Sequence, residues 1–134
     1  MAENRKTINK KRKKVLCVCA KGMNRSKYLA EYLEKRGYET KYGGINFFAP
    51  NPLNKFVFKW ADIVVFSRKK HYLIAKIKYL KDLRGKKIII LDVIDNPAKL
   101  SKINKKFTSL SYYEFQRNWT YPELRRQIKE YMPL

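Results

Sequence analysis

The sequence predicts an α/β protein: a four-stranded parallel sheet with helices on both faces. Three observations lead there. Short apolar runs and helix-patterned segments alternate in the order βαβαβαβα. The apolar runs are continuous rather than alternating, as in strands buried on both faces. Glycine marks the turn after the first run (Gly22) and the stops of two helical segments (Gly37 and Gly85).

The elements follow in order. Residues 1–13 are polar, basic and without periodicity, and read as a flexible arm ahead of a single α/β domain over residues 14–134. Lys14–Cys19, rich in Val, is too short for a helix and reads as a buried strand. Ser26–Arg36 carries Leu29, Tyr32, Leu33 and Arg36 at helical spacing, and Gly37 suits its C-terminal stop. Tyr38–Gly43 is the second strand, Lys55–Trp60 a short helix and Asp62–Ser67 the third strand. Lys69–Leu83 reads as one helix, Lys87–Asp92 as the fourth strand and Asp92–Pro97 as a loop at its end. Thr120-Tyr121-Pro122-Glu123 has the pattern of a capping box, ahead of an apolar stripe of Leu124, Ile128 and Tyr131.

Charge and cysteine usage bound the function. The chain of 134 residues has 32 Lys/Arg against 11 Asp/Glu, for a net charge of +21. Seven of those cations and one Glu lie in residues 1–14, which leaves +15 for the rest. Such a surface attracts polyanions, so an acidic partner or nucleic acid is a candidate beside a plain compositional bias toward lysine. No apolar stretch approaches the roughly 18 residues of a membrane span. Cys17 and Cys19 are too close on one strand to make a disulfide framework. With a single His they are too few for an ordinary zinc site, so no metal or cofactor is expected. A reducing cytoplasmic location fits best.

The chemistry concentrates in Cys19-Ala20-Lys21-Gly22-Met23-Asn24-Arg25-Ser26, at a strand-to-helix turn. A tight run of backbone N–H groups from Ala20 to Ser26 converges on one small anion, and the helix N-terminus adds its dipole. This predicts a phosphate-binding loop between the first strand and first helix. Arg25 offers a planar fork to two phosphate oxygens. Gly22 is the residue most able to take positive φ in mid-loop. The same field favours a thiolate at Cys19, and Ser26 can hydrogen-bond to the sulfur. Cys17 reads as a small core residue.

A leaving oxygen needs a proton donor. Strand carboxyl ends hold the ligands in such sheets, which favours Asp92 and Asp95 over Asp62 and Asp82. Asp95, in the turn Asp95-Asn96-Pro97, is preferred as the acid, with Asp92 as the alternative. His71 reads as a surface residue. Phe47, Phe48, Tyr112, Tyr113 and Trp119 read as core packing before a substrate wall.

These residues resemble the low-molecular-weight protein tyrosine phosphatases, in particular a short branch of predicted tyrosine phosphatases. The likeness rests on Val15-Leu16-Cys17-Val18-Cys19, the loop through Arg25-Ser26, Tyr28-Leu29-Ala30-Glu31, and Gly43-Gly44. Trp60 to Val65 and Ile89 to Asp95 complete it, so that it covers residues 14–97. The resemblance implies a protein phosphatase acting on phosphotyrosine through a cysteinyl-phosphate. Cys19 would be the nucleophile, Arg25 and Ser26 the loop residues and Asp95 the acid. The chain departs from the family with Lys27 where proline is usual, Gly22 where asparagine is usual, and Asn24 in place of a second cysteine. Asn24-Arg25-Ser26 is also similar to phosphatases of the RNA polymerase II tail, which act on phosphoserine. A catalytically weak phosphoprotein- or nucleic-acid-binding module on the same fold is the other reading.

Overall fold

The computed structural model describes residues 12–100 and 110–134. Four strands form one parallel sheet in the order β2-β1-β3-β4: β1 (Lys14–Cys19), β2 (Glu39–Gly44), β3 (Ile63–Phe66) and β4 (Lys87–Ile90). The fold class expected from the sequence is the one found; β1 has the expected limits, and those of the other strands differ from expectation by one or two residues. The basic arm expected over residues 1–13 lies, but for its last two residues, outside the described residues.

The alternation of side chains along β1 decides the layers. Val15 and Cys17 face one side, where α1 (Arg25–Glu34) and the C-terminal helix bury Leu29, Leu33, Leu124 and Ile128. Leu16 and Val18 face the other, against α2 (Lys55–Trp60), α3 (Lys69–Lys78) and α4 (Leu80–Leu83), which contribute Phe58, Ala75 and Leu83. Leu29 and Leu33 stand one turn apart and are fully buried, each contributing roughly 1.5–3 kcal/mol. The thiol of Cys17 packs in this core, and burial first, then the neighbouring Cys19, pushes it well above the usual thiol range.

Three helical expectations are corrected. The helix expected over Lys69–Leu83 breaks at Tyr79, whose backbone leaves the helical region (φ −129°, ψ 32°) between α3 and α4. Thr120 is not an N-cap: it has helical dihedrals, makes no side-chain cap bond and is buried. The capping box belongs to Ser111, whose Oγ accepts from Glu114 N–H at 3.2 Å while Ser111 N–H donates to Glu114 Oε1 at 3.2 Å. From there the chain runs without interruption through α6 (Tyr112–Phe115), a π-helical turn (Gln116–Thr120) and α7 (Tyr121–Lys129). Tyr131 lies beyond α7 and is exposed, so it leaves the expected stripe. A further short helix, α5 (Pro97–Leu100), follows β4.

The strand order places the site. The chain passes from β1 to β2 on one side and then to β3 on the other, so the sheet switches direction between β1 and β3. A crevice opens at the carboxyl ends of strands at such a point. Cys19 is the last residue of β1. No helix among the described residues is long and apolar enough to cross a membrane.

Candidate active site

The loop from Cys19 to α1 is shaped by where its carbonyls go. Ile45 N–H donates to the Cys19 carbonyl at 3.0 Å, Asn46 N–H to that of Ala20 at 3.0 Å and Asn51 N–H to that of Lys21 at 3.3 Å. Asn51 Nδ2 donates to the Gly22 carbonyl at 3.2 Å and also to the Tyr42 carbonyl at 3.0 Å. A trans peptide points its N–H opposite to its carbonyl. With those carbonyls turned toward residues 42–51, the N–H groups of the same peptides, on Ala20, Lys21, Gly22 and Met23, face away from that segment. Gly22 N–H accordingly donates to Cys19 Sγ at 3.3 Å.

Glycine is required at two points of this seam. Gly22 has φ +76°, and a Cβ there would lie 2.4 Å from the Gly44 nitrogen and 2.7 Å from the Asn51 oxygen. A Cβ on Gly44 would lie 2.3 Å from the Lys21 carbonyl carbon. The loop and the end of β2 are therefore in backbone-to-backbone contact.

Around the sulfur, Cys19 Sγ hydrogen-bonds Ser26 Oγ at 3.1 Å, and both residues are buried. Asn24, at the N-cap position of α1, makes no side-chain cap bond. The Asn24 side chain therefore leaves the first-turn N–H groups of α1 uncapped, as an anion site requires. Arg25 is buried, donates from Nη1 to the Val93 carbonyl at 2.8 Å and pairs through Nε with Asp95 Oδ2 at 3.3 Å.

The two candidate acids part company. Asp95 lines the cleft, whereas Asp92 turns outward to Arg68 Nε at 3.2 Å with a side chain 80% exposed. Asp95 is held by Asn24, expected from the sequence only as a residue of the phosphate-binding loop, and by Gln116, which sequence reasoning did not find. Asn24 Nδ2 donates to Asp95 Oδ2 at 3.1 Å and to Gln116 Oε1 at 2.7 Å, while Gln116 Nε2 donates to the Asp95 carbonyl at 2.8 Å. Tyr121 OH donates to Asn24 Oδ1 at 2.7 Å, and its ring stacks on Tyr28 at 4.1 Å. A loop residue, a sheet-end loop and the C-terminal helix are thus joined in one network.

The cleft above Cys19 has a volume of about 440 Å³ and is lined by Lys21, Met23, Asn96 and Pro97 together with Lys70, Lys99 and Tyr112. A larger depression of about 580 Å³ lies along β2, but Glu31 and Glu34 put carboxylates into it and no thiol reaches it.

Other expectations fail here. His71 is fully buried rather than on the surface, because as the third residue of α3 its Nδ1 accepts from Arg68 N–H at 3.2 Å. Burial, then Arg25, Lys70, Arg68 and Lys99, lower its pKa to about 3. Four of the five aromatic residues expected in the core are outside it, and Trp119 is half-buried. Phe47 and Phe48 are 78% and 90% exposed in a turn where Phe48 takes φ +63°. Tyr112 and Tyr113 are exposed as well, and Tyr112 walls the cleft.

No protein-family model matches the sequence, and no curated protein matches it either. Solved structures do match. A tyrosine phosphatase, AmsI, from Erwinia amylovora is 14% identical over 92% of this chain and 93% of its own, with a TM-score of 0.64. Wzb of Vibrio vulnificus, solved with benzylphosphonate, is 15% identical over 90% and 99%, with a TM-score of 0.59. A YwlE arginine phosphatase from Geobacillus stearothermophilus is 15% identical over 89% and 94%, with a TM-score of 0.53. At these identities the likeness speaks for the architecture, and the chain has the fold of the low-molecular-weight protein tyrosine phosphatases.

Proposed function

We propose that this protein is a phosphomonoesterase that works through a cysteinyl-phosphate. The observation that carries the reading is the arrangement about one sulfur. Cys19 Sγ receives the Gly22 N–H and meets Ser26 Oγ, beside a buried arginine whose partner is a cleft-lining carboxylate.

The phosphate would sit on the N–H groups of the loop and the Arg25 guanidinium, competing with Asp95 for that cation. The Cys19 thiolate attacks phosphorus in line. An S–P bond forms, the P–O bond breaks, and its electron pair leaves on the ester oxygen, which takes the proton of the Asp95 carboxyl. Asp95, now a carboxylate, takes a proton from water as that water attacks phosphorus. The S–P bond breaks, phosphate leaves and the thiolate returns. The loop N–H groups and Arg25 stabilise charge on the transferring phosphoryl oxygens throughout. Cys19 must stay reduced for this, which a cytoplasmic location provides.

Tyr112 supports phosphotyrosine as the substrate, since its half-exposed ring lines the cleft that the leaving group must occupy. The structural neighbours are named for tyrosine and for arginine phosphatase activity, so phosphoarginine peptides belong in the comparison beside phosphoserine. Wild-type protein should release p-nitrophenol from p-nitrophenyl phosphate, and Cys19→Ser should be at least about 10³-fold slower. Equal rates in the two proteins would overturn the reading.

A further inference from the structure

We propose that Lys70 and Lys99 form a second anion subsite on the wall of the Cys19 cleft. The substrate it selects is a phosphopeptide with an acidic side chain beside the phosphorylated residue. This rests on the phosphatase reading and adds the substrate class to it.

Lys70 stands in the first turn of α3 and Lys99 in α5, and both line the cleft that holds Cys19, Arg25 and Asp95. Two elements far apart in sequence thus bring like charges to one wall. Lys99 stands close enough to act on Lys70: after burial, it is the main influence lowering the Lys70 pKa, ahead of Arg68 and Arg25. Neither lysine forms an ion pair among the described residues. Asp95 is the one carboxylate among the cleft residues, and it is engaged with Arg25 and Asn24. Residues 101–109, which follow Lys99 in the chain, contain no Asp or Glu.

A charge count shows what is missing. The cleft presents four cations, Lys21, Arg25, Lys70 and Lys99. Arg25 is already paired with Asp95, and Lys21 belongs to the loop on which the phosphate would sit. Lys70 and Lys99 are left without a carboxylate partner among the described residues, and a carboxylate next to the scissile ester would supply one. An uncompensated pair of like charges repels until such a group arrives, and binding it relieves that repulsion. Because both lysines are exposed, the effect is modest. Exposed ion pairs contribute little each, which sets the expected selectivity at about 3–10-fold for the pair.

The test compares two phosphotyrosine peptides that differ only in Glu or Gln at the positions flanking the phosphotyrosine. In wild type the Glu peptide should have the higher kcat/KM by about 3–10-fold at low salt, with the advantage shrinking as salt rises. The double variant Lys70→Gln/Lys99→Gln should bring the ratio close to one, and Lys70→Arg/Lys99→Arg should keep it. Hydrolysis with a ratio of one in wild type, or a ratio unchanged in the double glutamine variant, overturns the subsite and leaves the phosphatase standing. Peptide affinity for Cys19→Ser protein is measured in parallel. A Glu preference there with no turnover of either peptide or of p-nitrophenyl phosphate by wild type overturns the phosphatase and leaves the subsite standing. If a single-stranded RNA displaces the Glu peptide and its own binding depends on Lys70 and Lys99, the peptide assignment falls in favour of nucleic acid.

Discussion

The two sides of the cleft are built by different means. The proposed phosphate loop is a contiguous stretch on one strand-to-helix turn. Its form is fixed by backbone carbonyls bonded to residues 45–51 and by glycines in backbone contact. The acid wall is assembled from the 92–97 loop, Asn24 and the C-terminal helix, through side-chain bonds spanning 21 to 97 residues of sequence. A loop held by its backbone either keeps its shape or loses it. A wall held by side chains can be loosened one bond at a time. Damage to the first should therefore abolish binding and turnover together, while damage to the second should slow turnover and spare binding.

Among changes that leave the reacting groups in place, the largest effect should come from Gly22→Ala. The new Cβ meets backbone atoms of Gly44 and Asn51 and forces a residue that disfavours φ +76° to adopt it, so the loop must shift. A displacement of about 1 Å at reacting groups can cost on the order of 100-fold. We expect kcat/KM on p-nitrophenyl phosphate to fall by about that factor and inhibition by inorganic phosphate to weaken with it. Normal phosphate inhibition in a slow Gly22→Ala protein would break the comparison, since the loop would then tolerate reshaping.

Asn24→Ala tests the opposite side. It removes the amide that joins Asp95, Gln116 and Tyr121 but leaves the loop carbonyl contacts in place. We expect kcat to fall about 10-fold while the inhibition constant for phosphate moves less than about twofold, as befits a group that positions an acid. In an Asp95→Asn background the same change should cost almost nothing further, because the two residues act as a unit. Full additivity would show that Asn24 acts on the loop instead.

The same division explains what could be read from the sequence. Cys19, Gly22, Arg25 and Ser26 announce themselves because one turn holds every group that a phosphate needs, and the strand before it is unmistakably buried. The preference for Asp95 over Asp92 followed from turn chemistry, and only Asp95 lines the cleft. Gln116 and Tyr121 could not be found in that way, since a polar helical residue reads as solvated until its helix is placed. A signal was present: Gln116, Thr120, Leu124 and Ile128 recur every four residues, and all are buried. That stripe, with the Ser111-x-x-Glu114 box, marks one long helix beginning near Tyr112. A four-residue spacing drifts around an α-helix of about 3.6 residues per turn, and the wider π turn over Gln116–Thr120 takes up part of the drift. The misreading of Thr120 as a cap hid the first half of the stripe. Lys70 and Lys99 were invisible for a related reason, because lysine on a lysine-rich chain carries no signal until two elements bring it to one wall.

His71 should have the smallest effect on activity at neutral pH and a distinct one on stability. Its Nδ1 accepts from Arg68 N–H, so the neutral ring carries its proton on Nε2, which is buried with no hydrogen-bond partner among the described residues. The native state holds this ring neutral down to about pH 3, against an ordinary value of 6.5, with Arg25, Lys70, Arg68 and Lys99 all disfavouring the charged form after burial. As pH falls below 6.5 the unfolded chain protonates the imidazole and the native state does not, so protonation favours unfolding. The contribution is complete above about pH 6.5 and is lost progressively toward pH 3. Between pH 7 and pH 4.5 it amounts to about 2–3 kcal/mol. Urea unfolding at the two pH values should show wild type losing that much more stability than His71→Gln, whose amide does not titrate. Parallel losses in the two proteins would mean that the ring is reached by solvent and protonated in the folded state. The packing that holds α3 against the cleft would then be looser than the bonds at Arg68 imply.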